Sequence, residues 1–460
     1  MSFTTRRLAL LAFLLTTSCA TAPSRINESG RATDAPKVAP AKSIVVDLND
    51  ASGRLSFPRV LRHAQEENPS IRAARSTWEA MLHKRAQNTE YPDPTFKFGY
   101  FAEEVRTRTG DQVLSIGVSQ KVPWPGKLAS QGRIADLMAM RAEAMAYAVT
   151  RNVLVEVSSV FVEYDFLTRA ISTADTITAA WKRVLVAAQK DPGAQRVAEL
   201  IRAETELAQS QFDLTTWQDL RKVEAAKLRA LLDLPSSSML GAPALTLSPD
   251  ALPSLVAIQQ AARQHNQDLA VAEVTVRISR ERITLAEQKD RPAFSVGGRY
   301  IATRQRDDAD PRFNGNDPLA LELGISIPLG RKAKRAAVLE ADHLASAATN
   351  KLHATQNKLD ADLAGWYWKA VNAQRQVRLY HDSLLPQARQ AAAAAETFAQ
   401  TQSRGLAGTL ETVANWHHLE LAALRAQADF RLATLQLEKH AGTPLSFVND
   451  SPGSTGGNTP

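Results

Sequence analysis

The sequence carries one plan twice, and that repeat constrains the fold more than any other feature of it. From residue 57 to 232 the pattern of apolar spacing and turn residues reads helix (57–90), two strands (95–104 and 112–122), a long helix (126–188), a turn and a helix (195–232). From residue 255 the order returns: helix 255–290, strands 293–302 and 319–328, long helix 332–399, turn, helix 408–440. Local echoes set the register. Asn68 answers Asn266, and Pro94-Thr-Phe-Lys-Phe-Gly99 answers Pro292-Ala-Phe-Ser-Val-Gly297. Gly117-Val-Ser ahead of Pro123 answers Gly324-Ile-Ser ahead of Pro328, and Gly126-Lys127 answers Gly330-Arg331. So many matches in one order are not expected by chance.

The two long helices exceed what a globular domain houses. At a rise of about 1.5 Å per residue, 126–188 would reach roughly 94 Å and 332–399 roughly 102 Å. Their apolar positions follow a 3-4 rhythm. Val153, Val157, Val160, Tyr164, Leu167, Ile171 and Ala174 make one seam; Leu363, Trp366, Ala370, Ala373, Val377, Tyr380 and Leu384 make the other. That spacing predicts coiled-coil packing, with pairs of shorter helices stacked end to end along each long one. The expected fold class is mainly α with a small β part.

The strands alternate. Leu319, Leu321, Leu323, Ile325 and Ile327 are interleaved with Ala320, Glu322, Gly324 and Ser326, and Leu114, Ile116 and Val118 with Ser115, Gly117 and Ser119. Phe96, Phe98 and Tyr100 flank Lys97 and Gly99. Strands of about ten residues with one apolar and one polar face suit a transmembrane β-barrel, though alternation alone equally fits soluble hairpins packed on a core. Context favours the barrel. Each hairpin lies between helices too long to fold back over it. Prolines stand at its ends: Pro92, Pro94, Pro123 and Pro125 in one half, with Gly126, and Pro292 and Pro328 in the other, with Gly330. Proline suits a sharp change from helix to strand and is awkward inside either. The hairpin loops 105–111 and 303–318 are polar. Four strands cannot close a barrel and open edges do not survive in lipid, so the chain is expected to oligomerise, three copies giving twelve strands.

The remaining composition excludes more than it selects. A net charge of +7 over 460 residues, with Lys and Arg dispersed among Asp and Glu, predicts solvated helix faces and no nucleic-acid partner. No serine elbow, phosphate loop or His/Cys cluster of metal-ligand spacing is present, so neither an enzyme, a cofactor nor a metal site is expected. His417-His418 reads as part of a solvated helix face, adjacent residues pointing about 100° apart and making a poor chelate.

Arg6 and Arg7 precede an apolar run from Leu8 to Leu15, then small residues and Cys19, which reads as a secretory signal over 1–18. The cysteine at the expected cut resembles the lipobox of bacterial lipoproteins, with Thr17 and Ser18 in the pattern and Thr16 departing from it. That resemblance implies lipidation of Cys19 and, through Ala20, sorting to the outer membrane. Residues 19–56 then read as a polar tether, 57–233 as the first repeat, 234–254 as a linker, 255–442 as the second repeat and 443–460 as a flexible tail.

Asn68-Pro69 with Ala73-Ala74, Tyr91-Pro-Asp-Pro94 and Val122-Pro-Trp-Pro-Gly-Lys127 together resemble the TolC-like outer-membrane efflux protein family, over about 57–442. The resemblance implies a homotrimer: a 12-strand barrel in the outer-membrane lipid, continued by an α-helical barrel across the periplasm. It also implies a far tip that opens when a periplasmic adaptor and an inner-membrane efflux pump dock. The Pro-Trp-Pro-Gly-Lys form is similar to the metal-exporter branch. By the same resemblance each tip has a glycine followed six positions later by an acid. Here these are Gly193 with Glu199 and Gly405 with Glu411, and Arg196 and Arg404 beside them would lock the tip or contact the adaptor. A carboxylate ring at a constriction would bind or select cations, whereas carboxylates in a first helical turn also simply suit the dipole. A type I secretion duct for polypeptides shares this architecture. A periplasmic coiled-coil scaffold would not need the hairpins.

Overall fold

A computed structural model describes residues 48–188, 194–244, 252–308, 311–401 and 406–449. In chain order the elements are β1 (Leu55–Ser56), α1 (Phe57–Glu67), α2 (Pro69–Leu82), α3 (Lys84–Thr89), β2 (Thr95–Thr107), β3 (Gly110–Val122), α4 (Pro125–Ala188) and α5 (Ala194–Leu231). There follow β4 (Pro243–Ala244), α6 (Leu255–His265), α7 (Gln267–Gln288), β5 (Ala293–Arg304), β6 (Leu319–Ser326) and α8 (Arg331–Leu379). A π-helical turn at Tyr380–Leu384 leads into α9 (Leu385–Thr401), then α10 (Leu406–Ala441) and α11 (Leu445–Asn449).

The repeat is realised as two long helices, each flanked by shorter ones. α4 packs against α2 and α3 along one part of its length and α5 along another; α8 packs likewise against α7 and α10. The halves are joined because α7 also packs on α4, and α10 on α4. The first seam is buried throughout: Val153, Val157, Val160, Tyr164, Leu167, Ile171 and Ala174 all lie in the interior. In the second seam Leu363, Ala370 and Ala373 are buried, while Trp366 is half-buried and packs on the cluster around Leu359, Leu437 and Ala441. One described helix, α4, is long and apolar enough to cross a membrane by composition. Part of this helix is buried in the protein, with Phe161 fully buried and its ring 5.1 Å from that of Phe57.

The matched asparagines explain why the expected helices 57–90 and 255–290 are each broken. Asn68 ends α1 and caps α2: its Oδ1 accepts from the backbone N–H groups of Ser70 (2.9 Å) and Ile71 (3.3 Å). Its Nδ2 donates to the Leu231 carbonyl at 2.8 Å, an orphan acceptor at the end of α5. Asn266 does the same between α6 and α7, accepting from Leu269 N–H at 3.0 Å and donating to the His440 carbonyl at 2.8 Å. One buried side chain thus satisfies an N-terminus and a C-terminus together, in both halves.

Several expectations are corrected. The first hairpin has no seven-residue loop: β2 and β3 run on to Thr107 and Gly110, which pair around a two-residue turn, after a bulge between Tyr100 and Val105. Gly110 makes that turn possible at φ +136, where a Cβ would lie against the Arg304 carbonyl. β6 stops at Ser326, and the long helix 332–399 is interrupted by its π turn. The end of the proposed tether is structured. Leu55 is buried, β1 pairs in parallel with β4 from the linker, and Arg54 donates to the Pro243 carbonyl at 2.9 Å. In the proposed tail, α11 places Leu445 and Val448 in the core against α6.

Candidate functional site

β2, β3, β5 and β6 form one antiparallel sheet in that order, and their register decides what the alternation means. Phe98 pairs with Ile116 and Ile116 with Tyr300, which pairs with Leu319; Phe96 pairs with Val118, Val118 with Gly298 and Gly298 with Leu321. Phe294 and Val296 sit opposite Ile325 and Leu323. The alternating apolar positions Phe96, Phe98, Ile116, Val118, Phe294, Val296, Leu319, Leu321, Leu323 and Ile325 therefore fall on one face, while Ile301, opposite Ser115, falls on the other. The apolar face is bare: Phe98 is 73 % exposed, Leu321 87 % and Leu323 83 %. A contiguous patch of this kind is abnormal for a protein surface in water and normal for one in lipid.

The opposite face is small and polar. Lys97, Gly117, Arg299 and Ala320 align on one rung, and Thr95, Ser119, Gly297 and Glu322 on another. Arg299 and Glu322 form an ion pair at 2.6 Å across β5 and β6. Gly297 is required by close approach, since a Cβ there would lie 2.8 Å from the Val118 carbonyl oxygen. The outer strands β2 and β6 have no further partner among the described residues, so the sheet has two open edges.

The junction residues gather at one end of this sheet. Pro92 and Pro94 lie between α3 and β2, Pro123 between β3 and α4, and Pro125 opens α4, where its missing N–H costs nothing. Pro292 precedes β5; Pro328 follows β6, and its carbonyl accepts from Lys334 Nζ at 2.6 Å. Gly126 lies close to Gln288, whose amide would be 3.2 Å from a Cβ, whereas Gly330 caps α8 in open space. Trp124 stacks on Phe294 with ring centroids 6.4 Å apart, and the Arg291 guanidinium lies over the Trp124 ring, 5.8 Å from its centroid. Just beyond, Arg133 on α4 donates to Glu281 Oε1 on α7 (2.9 and 2.7 Å), and these hydrogen bonds hold the Glu281 carboxyl below its ordinary range. At the far end, the loop after β5 is pinned to the first hairpin by Gly315 N–H donating to the Thr109 carbonyl at 2.7 Å. Within it Arg306 grips Asp308 with two bonds of 2.9 Å, depressing that carboxyl to about 2.

Of the tip residues, Gly193, Arg404 and Gly405 lie outside the described residues, as do the side chains of Arg196 and Glu199. Glu411 is exposed on α10. Cys19 also lies outside them. Among the described residues no His, Cys, Asp and Glu side chains cluster as a metal site would need.

His417 was misjudged by the expectation of a solvated face. It is 2 % exposed, neither ring nitrogen has a hydrogen-bond partner, and it stacks on Trp416 at 4.6 Å; His418 is exposed as expected. The available signal was its place four residues after Val413 and four before Leu421, on an apolar seam. Burial first, and the neighbouring His418 second, hold its pKa near 4. Its ordinary value in the unfolded chain is about 6.5, so the unfolded state binds the extra proton between these values. The folded state is then fully favoured above about pH 6.5 and loses roughly 3 kcal/mol as pH falls towards 4. Thermal midpoints followed between pH 7.5 and 4.5 should decline for the native chain and decline much less for His417→Leu.

No protein-family model and no curated protein matches the chain. Solved structures do. The open state of the Neisseria gonorrhoeae MtrE outer membrane channel superposes with a TM-score of 0.71 at 15 % identity, covering 85 % of this chain and 89 % of that one. CusC, solved in a study of folding and transmembrane channel formation, gives 0.70 at 12 % identity, over 84 % and 92 %. VceC from Vibrio cholerae gives 0.67 at 15 %, over 85 % and 96 %. With long paired helices, a four-strand sheet of two hairpins, and superposition over some 85 % of its length, the chain has the fold of the TolC-like outer-membrane channels.

Proposed function

We propose that the chain is one subunit of a trimeric outer-membrane channel, the exit duct of a tripartite efflux or export system. It would act as a passive conduit with no catalytic step. One observation carries this reading: four strands in register display a contiguous, exposed apolar face on a sheet whose two edges have no partner among the described residues. Lipid satisfies the face and neighbouring copies satisfy the edges; three copies give a twelve-strand wall whose small, polar face lines the lumen. The helices continue the duct, since α4 has 64 residues and so runs about 96 Å. That reach suits crossing the periplasm to an adaptor and an inner-membrane pump. Channels of this fold support the reading, and a periplasmic scaffold would leave the apolar sheet face uncovered. A type I duct for polypeptides remains the second reading, carried by the same geometry. Lipidation of Cys19 would add an anchor in the outer membrane, and Gly193, Arg196, Glu199, Arg404, Gly405 and Glu411 would form the gated tip.

Electron microscopy of the detergent-extracted chain tests the architecture. A threefold particle longer than about 100 Å, belted with detergent at one end, is expected; a monomer or dimer without a belt would remove the channel reading. For the tip, Glu199→Ala with Glu411→Ala should raise conductance or weaken cation block in planar bilayers. Unchanged conductance and block would take both residues out of the gate.

A further inference from the structure

The helix-side end of the sheet carries charges that nothing among the described residues answers. α8 begins Arg331-Lys332-Ala333-Lys334-Arg335, with no acidic residue in its first turn and no side-chain cap at Gly330. Four cations at the positive end of a helix dipole oppose the preference of that position for acids. Lys334 is accounted for by the Pro328 carbonyl and by Asp290 Oδ1 at 3.1 Å. Arg331, Lys332 and Arg335 are exposed, and among the described residues none has a carboxylate partner. On the opposite edge, Glu90 caps the C-terminus of α3, where a carboxylate gains nothing from the helix, and Asp93 follows two residues before β2. Both are exposed, and neither is ion-paired among the described residues.

Three inter-strand steps, about 14 Å, separate β2 from β6, so these groups cannot meet within one chain. Between chains they can. The sheet order β2-β3-β5-β6 is antiparallel at every step, so β2 and β6 run in opposite directions. Pairing β6 of one copy with β2 of the next continues the antiparallel ladder and brings the end of β6 beside the start of β2. We propose that Arg331, Lys332 and Arg335 of one copy form the seam with Glu90 and Asp93 of the next, an electrostatic clasp that selects edge-to-edge closure. The inference rests on the closed-sheet reading above. It explains two local conflicts of charge with one contact, and the incoming carboxylates also occupy the site the α8 dipole favours.

A charge swap tests it in the full-length protein extracted in detergent, with oligomer dissociation measured by light scattering at low salt. Arg331→Glu/Lys332→Glu/Arg335→Glu should raise the dissociation constant by about tenfold or more, and so should Glu90→Lys/Asp93→Lys. The five changes combined should restore association to within about threefold of the native chain. A combined variant that dissociates as readily as the worse partial one overturns the clasp, the cations then facing something else, such as lipid phosphates. A second variant does not depend on reversing charges: Asp93→Cys with Lys332→Cys should give disulfide-linked copies on oxidation, where either cysteine alone gives no ladder. Absence of the ladder in an oligomeric sample overturns the clasp alone. A native chain that is monomeric in detergent overturns the closed sheet and the clasp with it.

Discussion

Replacing Leu321 and Leu323 with arginine should abolish stable insertion of the protein into lipid. Both side chains stand at the middle of β6 on the bare apolar face, 87 % and 83 % exposed, opposite Gly298 and Val296. An arginine facing hydrocarbon near the middle of a barrel strand costs about 2–4 kcal/mol. Two in one chain approach the whole stability of a typical domain, and each copy in an assembly carries the pair. The measurement is the fraction of protein recovered with reconstituted liposomes after flotation, which should fall to background for Leu321→Arg/Leu323→Arg. Ala320→Ser, on the other face of the same strand, should float as the native chain does. A double arginine variant that floats normally would mean the apolar face is covered by protein, and the membrane reading would fail.

The second large effect is expected at the asparagine caps. Asn68→Ala removes an N-cap, worth about 0.5–2 kcal/mol, and strands the Leu231 carbonyl that its amide serves at 2.8 Å. A buried acceptor left without a partner costs about 1–3 kcal/mol more. Asn266→Ala repeats the loss at the His440 carbonyl. Each variant should therefore lose roughly 2–4 kcal/mol. The two sites lie in different halves, so the double variant should be close to additive. Chemical denaturation monitored by circular dichroism reads this directly. Asp at either position would retain the cap acceptor and lose the donor, and should fall between asparagine and alanine. Losses under 0.5 kcal/mol in both alanine variants would show that the breaks in these helices are set by packing alone.

Much of this fold is legible in the sequence because its signals are periodic and long. The repeat order, the 3-4 seams over tens of residues and the strict alternation of β6 each integrate many weak preferences, and all three reappear in the structure. Where signals are short, the reading goes astray. The turn at 108–109 reads as a longer polar loop because Arg106, Arg108 and Asp111 mask the continuation of both strands past the bulge. α11 and β1 read as tail and tether because a few apolar residues in a polar run cannot reveal the core that receives them. His417 reads as half of a solvated pair, since its burial appears only in the packed fold.

The order of the long elements and the apolar face of each are written in the chain itself, because both follow from local periodicity and from where proline and glycine interrupt it. That the apolar faces of four strands coincide is fixed by the pairing register, since a one-residue slip in any pairing would send one strand's apolar side chains to the other side. The packed fold also makes Asn68 and Asn266 each serve two helix ends, and sets acids and bases with no ion-pair partner among the described residues on opposite edges of one sheet. Contacts between residues more than a hundred positions apart leave no periodic trace along the chain, and they form only when the long helices have packed.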